Sequence, residues 1–360
     1  MRDAVLVLGW LVLAHLVADF VLQTGGVARA KAGHGSRAAG GLLAHGLMVA
    51  ACLVPVGFAY GDRGWAFLAT VAVAHVVTDR VKVVLTRLAA AAEIRDAHVH
   101  HEHPQPADHL GRAWTPRPAA LFLADQAVHL LVLAWGWAVF LAASPLTAGW
   151  TAAIDGWLDG WDRATVHAVV GGSVILASLA ILNIRAASLF VGILVRPVEA
   201  GVDGEHRWGG QVAQLAEPPT PAVGRREAPE AGGGATATRR WSIRLGPLDA
   251  RITAEPEPEP AAARRSPAVG GIGPSSAPLG ASARVGSTIG ILERILIVVF
   301  VLTGSDVAIG FVVAAKTLAR FKLLDDRAFA EYYLLGTLAS VAVAILSALV
   351  GRAALGALLG

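Results

Sequence analysis

The most constraining feature of this sequence is a series of apolar runs that are long enough to cross a bilayer yet carry histidines and aspartates. The first run, residues 4–22, is apolar except for His15 and Asp19. A helix that crosses a hydrocarbon core of about 30 Å needs about 20 apolar residues, and a carboxylate near its centre costs at least ~2.5 kcal/mol. His15, Asp19 and Gln23 are spaced four residues apart, so they share one helical face. That face must point at protein or at a water-filled cavity.

Composition places most of the chain in a membrane. Its 360 residues are 55% hydrophobic and only 16% charged, whereas a soluble domain carries about 25% charged residues. We therefore predict an all-α fold, a polytopic transmembrane helical bundle with a polar His/Asp core in the first four helices. The predicted membrane helices lie near 3–23, 39–60, 64–86, 118–143, 165–196, 288–318 and 332–351.

The pattern divides the chain into four parts. A four-helix domain with the polar core covers 1–143, and an external acidic loop with a fifth helix covers 144–197. A Pro-, Gly- and Ala-rich segment, 198–287, is predicted to be a cytoplasmic and mostly disordered linker. A C-terminal helical membrane unit covers 288–360.

Two local patterns refine this division. Alternating residues around a Gly-Pro pair at 240–253 predict a small hairpin inside the linker. The "TGSD" sequence at 303–306 predicts a turn that splits the next run into two short segments, 288–303 and 306–320. Because each segment is short for a full crossing, we interpret them as a re-entrant pair.

Charge in the loops gives an orientation. Residues 24–38 carry three basic and no acidic side chains, whereas 144–163 carry three aspartates and one arginine. By the positive-inside rule the first loop is cytoplasmic and the second is external. This predicts a multi-pass protein of the cell inner (cytoplasmic) membrane with the lipid bilayer as its partner. No basic patch interleaves with aromatic residues, so no nucleic-acid partner is expected.

Intramembrane polar residues recur on the next three helices. The second helix carries His45, the third carries "HVVTDRVK" at 75–82, and the fourth carries "DQAVH" at 125–129. The polar residues lie near the C-terminal ends of the first and third helices and near the N-terminal ends of the second and fourth. Since neighbouring helices are antiparallel, all of them are predicted to lie in the cytoplasmic half of the bilayer.

Imidazoles and carboxylates on facing helices are the groups with which helix bundles bind metals. Zinc fits such a set best, and manganese or iron is allowed. Buried His–Asp pairs can also tie helices together by hydrogen bonds worth roughly 1 kcal/mol each, so structural adhesion stays an alternative. The predicted ligands of a divalent metal ion are His15, Asp19, His45, His75, Asp79, Asp125 and His129.

The motifs "HLVADFVLQ", "LLAH", "HVVTDRVK" and "DQAVHL", in this order and spacing, resemble a bacterial membrane-protein family known only as domain of unknown function 3307. The resemblance covers about residues 5–140. Downstream stretches such as "IGILERILI" and "AEYYLLGTLAS" resemble the C-terminal extension of that family's longer members. The resemblance implies an integral membrane protein and no activity. The polar motif positions that it implies are His15, Asp19, Gln23, Lys31, His45, His75, Asp79, Lys82, Asp125, Gln126 and His129.

Three classes of function remain open. The leading hypothesis is a metal-dependent hydrolase acting on a membrane-associated substrate, with Asp19 and Asp79 as catalytic carboxylates and a carboxylate not on the metal as general base. The rivals are a proton- or cation-coupled transporter and a membrane scaffold or sensor that uses the linker. A histidine-rich stretch at 98–109 is interpreted as a solvated loop. The predicted substrate-binding residues are Gln23, Lys31, Lys82 and Gln126.

Overall fold

The computed structural model describes residues 2–100, 116–195, 240–245, 248–253, 279–325 and 327–359. Most of the predicted linker and the histidine-rich stretch beyond His100 lie outside these residues. In the described part the chain is helical except for one hairpin.

In the described part of the chain, five helices form the N-terminal bundle; four of them follow from the predicted apolar runs, and the short α2 lies in the basic loop between the first two. α1 continues into a π-helical turn, and α5 does the same at its C-terminal end. Thr24 caps α2, with its hydroxyl accepting from the backbone N–H of Val27. The bounds are α1 Arg2–Val17 with π turn Ala18–Leu22, α2 Gly25–Lys31, α3 Gly35–Tyr60, α4 Asp62–His100, and α5 Arg117–Gly136 with π turn Trp137–Leu141.

Two further segments follow α5. The short α6 begins after Thr147, whose hydroxyl accepts from the N–H of Trp150. Asp162 caps α7 in the same way, and α7 continues through a π turn into α8, so the predicted fifth membrane helix is one continuous run. The bounds are α6 Ala148–Trp157, α7 Arg163–Ile181, π turn Leu182–Ala186 and α8 Ala187–Leu194.

The C-terminal unit contains three helices, α9 (Leu279–Thr303), α10 (Val307–Ala319) and α11 (Arg327–Leu359). The predicted break at "TGSD" is present, and Gly304 takes a positive φ of 73° there, which glycine adopts without strain. α9 begins before the predicted boundary at 288, and its apolar part is long enough to cross a membrane. It is therefore not the short segment that we predicted.

Among the residues that the structure describes, six helical runs are long and apolar enough to cross a membrane, by length and composition. They make this a multi-pass membrane protein. α4 was predicted as a span but is not among the six, because Asp79, Arg80 and Lys82 interrupt its apolar sequence. It nevertheless packs against α3 and α5 along the bundle. The six runs are Ala4–Leu22, Gly35–Tyr60, Arg117–Leu141, Arg163–Leu194, Gly286–Thr303 and Phe329–Leu359.

Two apolar cores hold these helices together. The first joins α1, α3, α4 and α5 around the fully buried Phe67 and Leu11. The second joins α7, α9 and α11 around Ile297, Ala344 and Ala348. Large apolar side chains elsewhere on the spans are exposed, as expected for surfaces that face hydrocarbon.

The hairpin belongs to a separate unit, residues 220–279. Strands β1 (Arg240–Leu245) and β2 (Leu248–Thr253) are antiparallel, with Leu245 opposite Leu248. The two strands confirm the hairpin that the alternating sequence predicted.

Candidate metal centre

The structure brings the predicted polar residues of α1, α3, α4 and α5 into one buried cluster. The seven predicted ligands are buried or nearly so, and the side chain of Asp19, the most exposed of those with a printed value, is 9% exposed. The gathered set is His15, Asp19, His45, His75, Asp79, Asp125 and His129.

Four of these side chains converge most closely. The Nε2 atoms of His45 and His75 are 2.9 Å apart. Asp19 Oδ1 lies 3.4 Å from His45 Nε2 and 3.3 Å from His75 Nε2. On the other side, Asp79 Oδ2 lies 3.5 Å and 3.9 Å from the same two nitrogens. Each of the two carboxylate oxygens thus lies beside the same pair of imidazole nitrogens.

The separations match those of ligands around one small ion. Zinc bonds to nitrogen and oxygen of 2.0–2.2 Å place the ligand atoms of a tetrahedral site about 3.3–3.6 Å apart. The five measured distances run from 2.9 to 3.9 Å. The two histidine nitrogens together with either carboxylate oxygen therefore have separations close to those of ligands on one ion, and His45, His75 and Asp79 form one such group.

Several polar atoms of the cluster have no hydrogen bond within the described part of the chain. They include Asp19 Oδ1 and Asp125 Oδ1 on the carboxylates, and His45 Nδ1 and His129 Nε2 on the imidazoles. Buried polar atoms without partners are uncommon and destabilising in proteins. Their concentration in one cluster is what an absent ion or water would leave.

A small cavity lies on one side of the cluster, between His15, His75 and His129 and apolar side chains such as Val49 and Val71. The centre of a water molecule can occupy about 10 Å³ of this cavity, which is room for one water. His129 Nδ1 lies 2.8 Å from the Asp125 carbonyl oxygen. Because that nitrogen must donate, Nε2 of the neutral ring is an acceptor.

The predicted substrate-binding residues contact the carboxylates and His15. Lys31 Nζ lies 2.5 Å from Asp79 Oδ2 and donates to Gln23 Oε1 at 2.8 Å. Lys82 Nζ lies 2.6 Å from Asp125 Oδ2. Gln126 contacts both Asp125 and His15. Its Nε2 lies 3.1 Å from Asp125 Oδ2, and its Oε1 lies 3.2 Å from His15 Nε2. In this arrangement both lysines neutralise carboxylates, and their role toward a substrate stays a prediction.

Asp19 differs from the other two aspartates, because no lysine pairs with it among the described residues. It lies in the π turn after α1, where the Gln23 N–H bonds the Ala18 carbonyl oxygen. A π turn inserts an extra residue into the helical repeat and rotates the side chains that follow. This turn contributes to the direction in which Asp19 faces His45 and His75.

Comparison with protein families gives one match. Residues 7–155 match the family described as "Protein of unknown function (DUF3307)". This stretch is thus similar to that family, and we call it the DUF3307 domain. Searches of curated proteins and of solved structures gave no match.

The match confirms the resemblance that the four motifs indicated. The DUF3307 domain contains all of the clustered polar residues, together with α6 up to Asp155. Because the match ends at residue 155, the resemblance of the C-terminal stretches stays a prediction.

Outside the DUF3307 domain, the structure shows a second buried polar group that the sequence analysis did not single out. Arg294 of α9, 3% exposed, donates from Nε to the Asn183 carbonyl oxygen at 2.7 Å and from its terminal nitrogens to the hydroxyls of Ser188 and Ser340. The signal in the sequence was the adjacent pair Glu293 and Arg294 inside an apolar run.

Proposed function

We propose that this inner-membrane protein binds one divalent metal ion through Asp19, His45, His75 and Asp79 and uses it to hydrolyse a membrane-associated substrate. The observation that carries the proposal is the convergence of two Nε2 atoms and two carboxylate oxygens at 2.9–3.9 Å. Zinc is the ion that suits two nitrogens and two oxygens in this geometry, and manganese or iron is second.

Charge supports a cation at this place. Three carboxylates face two ammonium groups, so neutral histidines leave one unmatched negative charge in the cluster. An unmatched charge is expensive inside a membrane. A divalent ion with one hydroxide would bring the cluster to neutrality, and so would one protonated histidine.

The remaining side chains supply the other parts of a hydrolytic site. A bound ion of this kind lowers the pKa of its water to about 7. His129, outside the closest four, lines the one-water cavity, and its Nε2, which has no other hydrogen-bond partner among the described residues, would accept a proton there. Asp125 holds the tautomer of His129 through its backbone carbonyl, and the Lys82 ion pair fixes the Asp125 side chain.

Proton relay or cation transport is the second candidate, favoured by the size of the cavity. Room for one water is enough for a proton or a bare ion but leaves no space for an organic substrate without movement. The hydrogen-bonded series from His15 through Gln126 and Asp125 to Lys82 would carry protons in such a protein.

Metal analysis of the full chain tests the proposal. Protein purified in detergent without chelators should hold about one ion per chain by inductively coupled plasma mass spectrometry, and added metal at 100 times Kd should stabilise it by about 2.7 kcal/mol. Asp19→Asn keeps the side-chain shape but removes the charge, and His75→Ala removes a ligand. Each should abolish both effects, whereas His34→Ala, an exposed histidine, should change neither.

A metal-free wild-type protein whose melting temperature ignores added metal would contradict the metal centre. Proton relay would then be the better explanation of the cluster. If metal is bound, a flux assay in liposomes separates transport from hydrolysis.

A further inference from the structure

We infer that Lys31 is a built-in competitor of the metal ion for Asp79, and that α2 delivers it, so that the position of α2 sets the metal affinity of the site. The inference rests on the metal centre proposed above. It concerns a residue that the sequence predicts to bind substrate instead.

The ammonium group of Lys31 occupies the oxygen that the metal needs. Asp79 Oδ2 is the atom that faces His45 Nε2 and His75 Nε2, and Lys31 Nζ lies 2.5 Å from that same atom. A metal bonded to Asp79 Oδ2 would therefore lie at most about 4.7 Å from the ammonium. Two cations at that distance in a buried site repel each other strongly.

Lys82 provides the contrast within the same cluster. Its ammonium pairs with Asp125 Oδ2, which is not one of the four converging atoms. The Lys82 side chain is also 31% exposed, whereas that of Lys31 is 10% exposed. Water therefore screens the charge of Lys82 more than that of Lys31.

α2 is placed so that Lys31 enters the cluster. Its C-terminal end is held from α4, because Arg87 donates to the carbonyl oxygens of Ala32 at 2.7 Å and Gly33 at 2.6 Å. The helix α2 also contacts α3 at Gly41. A Cβ at Gly41 would lie only 2.6 Å from the Lys31 backbone nitrogen and 2.7 Å from Ala30 Cβ, so only glycine permits this approach.

These contacts give two arrangements of one site. With α2 docked, Lys31 neutralises Asp79 and the site binds metal less tightly than it would without the ammonium. With Lys31 withdrawn, Asp79 is an unpaired buried carboxylate that favours a divalent ion. Any event that moves α2 would then change metal affinity without altering a ligand.

Zinc affinity of the full chain in detergent, measured by competition with a chromogenic chelator, tests this. Lys31→Met keeps the aliphatic length and removes the charge, and it should bind zinc at least about tenfold more tightly than wild type. Lys82→Met removes an ammonium whose partner, Asp125, is not one of the four proposed ligands, and it should gain clearly less affinity than Lys31→Met. Gly41→Ala displaces α2 while leaving the ammonium in the chain, and it should shift affinity in the same direction as Lys31→Met.

The outcomes separate the two proposals. Zinc binding by the wild type with no gain in Lys31→Met and Gly41→Ala would overturn the competition and leave the metal centre standing. Equal gains in Lys31→Met and Lys82→Met would also overturn it, because the effect would then be one of general charge. Absence of zinc binding in every protein would overturn the metal centre itself. If Lys31→Met does not fold, the zinc affinity of Gly41→Ala relative to wild type decides whether Lys31 competes with the metal.

Discussion

Asp19, Asp79 and Asp125 are the same residue type at similar burial, yet their surroundings assign them different chemistry. Asp79 and Asp125 each pair with a lysine, while Asp19 faces only histidines among the described residues. A buried carboxylate without a fixed cation either captures one or takes a proton onto itself or a neighbour. Asp19 is therefore the residue whose replacement distinguishes a metal centre from a hydrogen-bonded cluster.

Asp162 caps the N-terminus of α7, outside the membrane-spanning segments. Its carboxylate accepts hydrogen bonds from the backbone N–H and the hydroxyl of Thr165, both at 2.9 Å, and these bonds lower the pKa of Asp162. A lowered folded-state pKa means that the stabilisation is present above the ordinary pKa of an aspartate, about 4, and is lost as pH falls through the folded-state value.

We expect Asp162→Ala to lower the melting temperature at pH 7, with the deficit shrinking as the pH is taken below about 4. Melting followed by circular dichroism over a pH series measures this. Asp159→Asn, an exposed carboxylate in the same loop, is the control and should leave melting unchanged. A deficit that stays constant down to acid pH would show that the charge of the cap contributes nothing.

At the scale of elements, the π turns create acceptors that ordinary helices lack. In the turn Leu182–Ala186, the carbonyl oxygen of Asn183 is available to Arg294 of α9. The guanidinium also reaches Ser188 of α8 and Ser340 of α11. One side chain thus joins four helical segments, and its planar fork of donors suits three acceptors at once.

Removal of this fork should be strongly destabilising. We expect Arg294→Ala to lower the free energy of unfolding by about 2–4 kcal/mol, since it leaves buried acceptors unpaired, and Arg294→Lys to recover little because an ammonium cannot reach all three. Thermal melting in detergent measures both. Arg327→Ala, which breaks an exposed pair with Glu331, should cost less than about 1 kcal/mol. A wild-type melting temperature for Arg294→Ala would contradict the bracing role.

At the scale of the whole molecule, the orientation predicted from the loops is open to a direct experiment. Reporter fusions within residues 24–38 and 198–287 should both report the cytoplasm, and a fusion near Asp155 should report the exterior. α2 lies inside the first loop and packs on α3, so the fusion is best placed after Gly35. An external signal from the 198–287 fusion would overturn the orientation.

Much of the architecture was predictable because its causes are local. Apolar length marks the spans whatever their neighbours are, and four-residue spacing places His75 with Asp79 on one face without knowledge of the fold. Gly304 and the Gly-Pro pair mark their turns for the same reason. The convergence of polar groups from four helices followed from their positions along antiparallel spans.

The sequence by itself therefore determined that helices cross a membrane, which of their faces are polar, and which residues share a depth. Only the tertiary structure decided which lysine pairs with which aspartate, that Asp19 pairs with neither, and that Asp79 Oδ2 serves Lys31 and two histidines at once. The physical reason is that such pairings depend on the rotation and approach of whole helices. These are set by side chains at other contacts, such as the missing Cβ of Gly41, and not by the spacing of the polar residues themselves.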